Sequence, residues 1–201
     1  VKEVVLHTPV TEEQARDLQI GDIVYVVGNI YTSRDMGHKT IKEALEAGQA
    51  LPKDFNGSAI FHAGPVALKN DDGSYRLVCI GPTTSIRMEP YADMVGKLGI
   101  KLVIGKGGMA AGTLAAAKKY GYVYLQAAPG CAQTLTNGLD GIDDNGKDVS
   151  WIELGVPEAL WNLKAVKFGP LIVGMDSHEA SIYDNLKVKA QKKIDELYPL
   201  S

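Results

Sequence analysis

Two apolar runs in the middle of the chain end in the same way, and that repetition limits the folds open to it. Tyr75-Arg76-Leu77-Val78-Cys79-Ile80 stops on Gly81-Pro82, and Lys101-Leu102-Val103-Ile104 stops on Gly105-Lys106-Gly107-Gly108. Each is followed by a stretch with helical spacing, Glu89 to Leu98 and Met109 to Lys119. Short β-rich runs alternating with helices call for a sheet with helices packed on its faces. The first N–H groups of a helix have no partner inside it, and together with the helix dipole they suit an anion. The first junction adds the hydroxyls of Thr83, Thr84 and Ser85 and the guanidinium of Arg87; the second adds Lys106. Two junctions with one cation each suit a small dianion such as a dicarboxylate. Either one alone reads equally well as a capped helix start.

The flanking sequence extends the pattern. Val4-Val5-Leu6 reads as a strand, Thr11-Glu12-Glu13-Gln14 as a capping box, and Asp22 to Tyr31 as a β-rich run broken by Gly28. Thr32 and Ser33 are placed to cap a helix from Arg34 to Ala47, stopped by Gly48. Leu51 to Gly57 is an extended connector, and Ala59 to His62 a further strand. Asn70-Asp71-Asp72-Gly73 is a hairpin turn joining Val66–Leu68 to Tyr75–Ile80. Tyr122 to Leu125 predicts a strand and Asp140 to Asp148 a polar loop. Trp151–Leu154, Leu163–Phe168 and Leu171–Gly174 predict strands, and Ile182 to Leu197 a closing amphipathic helix with a lysine-rich outer face. Hairpins first and β–α alternation later describe a mixed α/β domain, expected to be one unit over residues 1–201.

Composition narrows the function. The 201 residues can bury a sizeable core, and a net charge of −3 gives no electrostatic case for nucleic acid or an anionic membrane. No apolar run approaches the roughly 18 residues of a membrane span. The start, Val1-Lys2-Glu3, shows no secretory leader, and two cysteines cannot make a disulfide framework, so a reducing cytoplasm is expected. Nor can Cys79 and Cys131 alone ligate an iron–sulfur cluster or a structural zinc. Cys79 lies in an apolar strand pattern and reads as packing; Cys131 lies at a turn.

Other chemistries fit less well. Gly105-Lys106-Gly107-Gly108-Met109-Ala110 matches the degenerate dinucleotide fingerprint between a strand and a helix. The next strand, however, ends in Gln126 rather than the acid that would hold a ribose, and Lys106 puts a charge where the backbone should meet pyrophosphate. No Ser or Thr follows a lysine there, so a phosphate-loop ATPase fails. Thr32 to Lys39 is a third junction, with Arg34 and His38 four residues apart on one helix face. It reads as a surface turn with an Arg34–Asp35 charge pair, or as a carboxylate clamp in which His38 orients Arg34. His62, between apolar neighbours, reads as a hydrogen-bonded core histidine. The four histidines show no metal-ligand spacing and no persuasive Ser-His-Asp order. Asp35 and Glu89 are the carboxylates of the junctions, and the hydroxyls are weak bases unless Arg87 and Lys106 lower their pKa. Cations and hydroxyls without an electrophile imply that another chain supplies the missing half.

These segments resemble the β subunit of the class I iron–sulfur hydro-lyases, fumarate hydratase and L(+)-tartrate dehydratase, a module that also forms the C-terminal domain of single-chain class I fumarases. The resemblance is carried by Thr32–Lys39, Phe61–Pro65, Gly81–Met88, Gly105–Met109, Glu153–Trp161 and Lys167–Val173. It covers nearly the whole chain, departing from the common pattern at Ile86 and in the polar stretch from Asn137 to Asp148.

The resemblance implies a swivelling β/β/α fold with a mixed sheet and flanking helices. It also implies a partner α subunit, in an α2β2 heterotetramer, that holds a 4Fe-4S cluster on three cysteines with one iron open to substrate as a Lewis acid. Arg34, Arg87 and Lys106 match the positions that hold substrate carboxylates, Thr84 and Ser85 are expected to bind substrate beside them, and Thr83 matches the proposed base for the C3 proton. Cys131 is not a cluster ligand in this reading. Fixed cations stabilise the charge that builds on a carboxylate during hydration, typically by a few kcal/mol each. Fumarate hydration to L-malate is the expected reaction, with tartrate dehydration as the alternative. A dinucleotide-dependent oxidoreductase and a non-catalytic organic-anion-binding module stand outside the family.

Overall fold

A computed structural model describes residues 1–198. Its strands are β1 (Glu3–His7), β2 (Ile23–Thr32), β3 (Ala59–Phe61), β4 (Val66–Lys69), β5 (Tyr75–Cys79), β6 (Leu102–Gly105), β7 (Val123–Gln126), β8 (Leu139–Ile142), β9 (Val149–Ser150) and β10 (Leu160–Met175). The helices are α1 (Glu12–Arg16), α2 (Asp35–Glu46), α3 (Ala92–Lys97), α4 (Ala111–Tyr120), α5 (Ala132–Thr136), α6 (Asp143–Gly146) and α7 (Ile182–Leu197). The outcome is the expected α/β architecture, a mixed sheet flanked by helices.

Strands β1, β2, β3, β6 and β7 run parallel in that order. The long strand β10 then pairs antiparallel with both β7 and β2, closing β2, β3, β6, β7 and β10 into a ring. Alternation along the central strands assigns one set of side chains to each face. Ala59, Phe61, Leu102, Ile104, Val123 and Leu125 pack inside with Trp161 and Phe168. Ile60, Val103 and Tyr124 point the other way, into a second core with Ile41, Val95 and Ala117 from the helices. Both faces are therefore buried, as the unbroken apolar runs require. Although β3 has three residues, it buries Ile60 and Phe61 completely. Burial of that kind contributes on the order of 2 kcal/mol per side chain.

Several local expectations are revised. Leu163–Phe168 and Leu171–Gly174 are parts of one strand, with shifts of register against β2 around Phe168. Pro170, which lacks an N–H, falls in that irregular stretch. The segment read as a loop from Asp140 to Asp148 contributes β8 and α6, while Trp151–Leu154 forms a 3-10 turn over Ile152–Leu154 rather than a strand. The helix expected from Glu89 begins as a 3-10 stretch, Ser85–Tyr91, which contains Pro90 and leads into α3. Thr32 and Ser33 do not cap α2. The Thr32 hydroxyl donates to the Ala159 carbonyl and accepts from Trp161 N–H, and Ser33 pairs with His38. Helix α7 spans the predicted residues and docks through its first turn, where Tyr183 packs against the second core, while Leu186, Val188, Ile194 and Leu197 are exposed.

Candidate active site

The predicted cations gather at the carboxyl edge of the parallel strands, the edge where open α/β sheets hold ligands. Arg34 follows β2 by two residues, and Lys106 directly follows β6. Between the ends of β3 and β6 the segment 83–85 is laced in like a short strand. Thr83 N–H donates to the His62 carbonyl at 2.7 Å, Lys106 N–H to the Thr83 carbonyl at 3.3 Å, and Ser85 N–H to the Lys106 carbonyl at 3.0 Å. Thr83, Thr84 and Lys106 are thus fixed side by side. Gly105 permits the approach: a Cβ there would stand 1.8 Å from Ser85 Oγ. Gly108, at φ +77°, turns the chain into α4 in a conformation that L side chains rarely adopt.

The side chains then link the junctions. Arg87 Nη2 donates to Thr83 Oγ1 at 2.9 Å and lies 3.0 Å from Asp35 Oδ2. Arg34 Nε lies 3.2 Å from Glu158 Oε1, and Glu158 Oε2 accepts from Met36 N–H at 3.0 Å. Arg34 therefore pairs with Glu158 and not with its neighbour Asp35. Half-buried Lys106 has no carboxylate partner among the described residues.

The helix N-termini expected to receive an anion are already occupied by protein carboxylates. Glu158 takes an N–H in the first turn of α2. Glu89 accepts from Ala110 N–H, Thr113 N–H and the Thr113 hydroxyl at 2.8, 2.9 and 2.6 Å, capping α4. The N–H groups of Thr83 and Ser85 are spent on the strand-like lacing. Those N–H groups are therefore not available to a ligand anion. Sequence reasoning missed Glu158 as a partner, because 122 residues separate it from Met36. Its signal was the Gly155-Val156-Pro157-Glu158 segment.

Ser85 is not a surface contact. Its side chain is fully buried, with Oγ 3.0 Å from His62 Nδ1 and accepting from the Tyr124 hydroxyl at 3.0 Å. Thr84, by contrast, is exposed, and its hydroxyl has no protein partner among the described residues. His38 does not touch the Arg34 guanidinium; its Nδ1 lies 2.8 Å from Ser33 Oγ and 3.0 Å from the Arg34 carbonyl. The two buried imidazoles pack edge to face, with centroids 5.1 Å apart. Desolvation holds the pKa of His38 down to about 4 and that of His62 well below its ordinary range, so both rings are neutral.

Two cysteines, half-buried Cys79 and exposed Cys131, are too few for a three-thiolate cluster. No group of three or more His, Cys, Asp or Glu among the described residues is arranged to hold a metal. The donors of this chain do not fit a cluster of its own. A cleft of about 670 Å³ lies away from these cations, between β5 and the β8–α6 segment.

Arg34 and Lys106 thus follow the ends of β2 and β6, and Arg87 holds the hydroxyl of Thr83, which is laced between β3 and β6. The chain belongs to the family described as Fumarase C-terminus, whose model matches residues 1–186. It is 45% identical to a Methanocaldococcus jannaschii protein provisionally named L(+)-tartrate dehydratase subunit beta, over 94% of this chain and 96% of that one. It is 38% identical to L(+)-tartrate dehydratase subunit beta of Escherichia coli, over 94% of this chain and 91% of the relative. A Geobacillus stearothermophilus protein provisionally named fumarate hydratase class I is 41% identical over 96% of this chain, which spans only 36% of that longer protein.

Proposed function

We propose that this chain is the β subunit of a class I iron–sulfur hydro-lyase that reversibly hydrates fumarate to L-malate. It works with an α subunit in a cytoplasmic α2β2 assembly, and the 4Fe-4S cluster belongs to that partner. The observation that carries the reading is the 2.9 Å contact between Arg87 and Thr83, one residue from the strand-like pairing of Thr84 with Lys106. A cationic N–H donor on Oγ1 favours the deprotonated hydroxyl, which then accepts the proton from C3 of malate. As that proton leaves, negative charge builds on the adjacent carboxylate. In this reading Arg34, Arg87 and Lys106 hold that charge. The relatives of similar length named for tartrate favour a second reading, dehydration of L(+)-tartrate, which the same cations and hydroxyl also serve.

The test is anaerobic reconstitution. The purified, iron-free chain is expected to be inactive, and addition of the cluster-bearing α subunit is expected to give hydro-lyase turnover that is lost in air. Turnover by the iron-free chain alone would overturn the assignment.

A further inference from the structure

The hydroxyl proposed as base lies on a segment held by a buried residue, His62. His62 grips the 83–85 segment twice: its carbonyl accepts from Thr83 N–H at 2.7 Å, and its Nδ1 lies 3.0 Å from Ser85 Oγ. Tyr124, on the strand beyond β6, donates its hydroxyl to the same Oγ at 3.0 Å. Ser85 thus keeps its own proton to donate to Nδ1, while Nε2 has no partner. All three side chains are buried, and the Ser85 side chain is wedged against the Cα of Gly105. Ser85 opens the 3-10 stretch that carries Arg87, and Thr83 lies two residues before it.

We propose that Tyr124, Ser85 and His62 form a buried positioning chain that sets the Thr83 hydroxyl against the Arg87 guanidinium for proton abstraction. The inference rests on the hydro-lyase reading and deepens it. A carboxylate-holding site could work with a loosely held hydroxyl. A base could not, because proton transfer depends steeply on the placement of the accepting oxygen, and an error of about 1 Å costs on the order of a hundredfold. A chain anchored in the core at both ends holds the 83–87 turn more tightly than exposed ion pairs such as Arg87–Asp35.

The two imidazole nitrogens supply a sharp test. An asparagine amide reaches the place of Nδ1, and a glutamine amide the place of Nε2. In the complex reconstituted with the α subunit, His62→Gln is expected to lower kcat for L-malate at least about tenfold, with a smaller change in KM. His62→Asn should recover most of that loss. Tyr124→Phe, which deletes one hydroxyl, should fall between. With malate deuterated at C3, the isotope effect on kcat should rise in His62→Gln and Tyr124→Phe, because proton abstraction has become slower than the other steps. Wild-type kcat and isotope effect in both variants would overturn the proposal. So would equal losses in the Gln and Asn variants together with weaker association with the α subunit, which would assign the chain a purely structural role. A wild-type complex that turns over neither malate nor tartrate would instead sink the underlying reading, and the inference with it.

Discussion

The Arg87 guanidinium donates to the Thr83 hydroxyl at 2.9 Å through the nitrogen that also faces Asp35 at 3.0 Å. One cation therefore ties the hydroxyl of the 83–85 segment to the start of α2, two elements that meet only in the folded chain. Arg87 is 43% exposed, so its ion pair with Asp35 is a weak source of stability. Its value is geometric: a planar fork presents several N–H groups in fixed directions, enough for a hydroxyl, a carboxylate and a substrate together.

Arg87→Lys should accordingly be far from conservative. An ammonium on a flexible stem cannot serve Thr83 and a substrate carboxylate in one plane. A loss in kcat/KM of at least about tenfold, on the order of 1.4 kcal/mol or more, is expected with the α–β complex intact. Steady-state kinetics decide it, and wild-type values would remove Arg87 from the site.

Thr83 and Thr84 should separate cleanly. Thr83→Ala removes the oxygen that Arg87 holds and should abolish exchange of the malate C3 proton with deuterated water while leaving assembly intact. Thr84→Ala deletes an exposed hydroxyl and should be milder, because the pairing of Thr84 with Lys106 runs through the backbone. Normal exchange in Thr83→Ala would place the base elsewhere.

Much of the fold was legible in the sequence, and what was not has a common cause. The junctions announced themselves because glycine, hydroxyl and cation lie next to one another in the chain, and folding brings the Arg87 guanidinium to the Thr83 hydroxyl. Local spacing also set the limits of α7, and the capping box at Thr11 formed as expected. What could not be read was pairing over long distances. Glu158 on Arg34, Glu89 on α4 and Tyr124 on Ser85 each join elements remote in the chain, and no local pattern encodes such partners. The same blindness made the helix N-termini look vacant for a ligand and hid the burial of Ser85, which was expected to meet substrate. The ring closure by β10 was hidden for a similar reason, since pairing on both sides leaves no local mark.

Glu89 offers a measure of one such long-range partner. Its carboxylate satisfies the backbone N–H groups of Ala110 and Thr113 at a helix start that has no side-chain cap of its own. Glu89→Ala should destabilise the isolated chain by about 1–2 kcal/mol, the range for loss of an N-terminal cap, and Glu89→Gln by less. Urea unfolding midpoints report it. Unchanged midpoints in both variants would show that these contacts add nothing net.

The buried imidazoles predict a pH dependence of stability. Desolvation keeps the pKa of His38 at about 4 in the folded chain, against 6.5 when unfolded, and holds that of His62 well below its ordinary value. Between those values the unfolded chain binds more protons than the folded one, so stability rises with pH. The contribution is complete above pH 6.5 and is lost as pH falls towards about 4, on the order of 3 kcal/mol for His38. Urea unfolding between about pH 7 and about pH 5, above the main carboxylate titrations, should show stability falling with acid. His38→Asn should flatten the slope, and an identical slope in that variant would take His38 out of the account.

Substrate choice is the last prediction. Malate and tartrate share two carboxylates and a departing hydroxyl, so the roles proposed for Arg34, Arg87, Lys106 and Thr83 do not distinguish them. Tartrate adds a second hydroxyl, and a site built to bond it should strongly reject the analogue that lacks it. The two carboxylates beside these arginines are committed, Asp35 to Arg87 and Glu158 to Arg34 and Met36 N–H. Neither is spare for a substrate hydroxyl. Ile86, 46% exposed beside Arg87, adds apolar surface instead. The reconstituted enzyme should therefore show a higher kcat/KM for L-malate than for L(+)-tartrate. A clear preference for tartrate would overturn the substrate while leaving the hydro-lyase class in place, and it would point to the free hydroxyl of Thr84 as the group that meets the extra one. Thr84→Val would then lower kcat/KM for tartrate more than for malate.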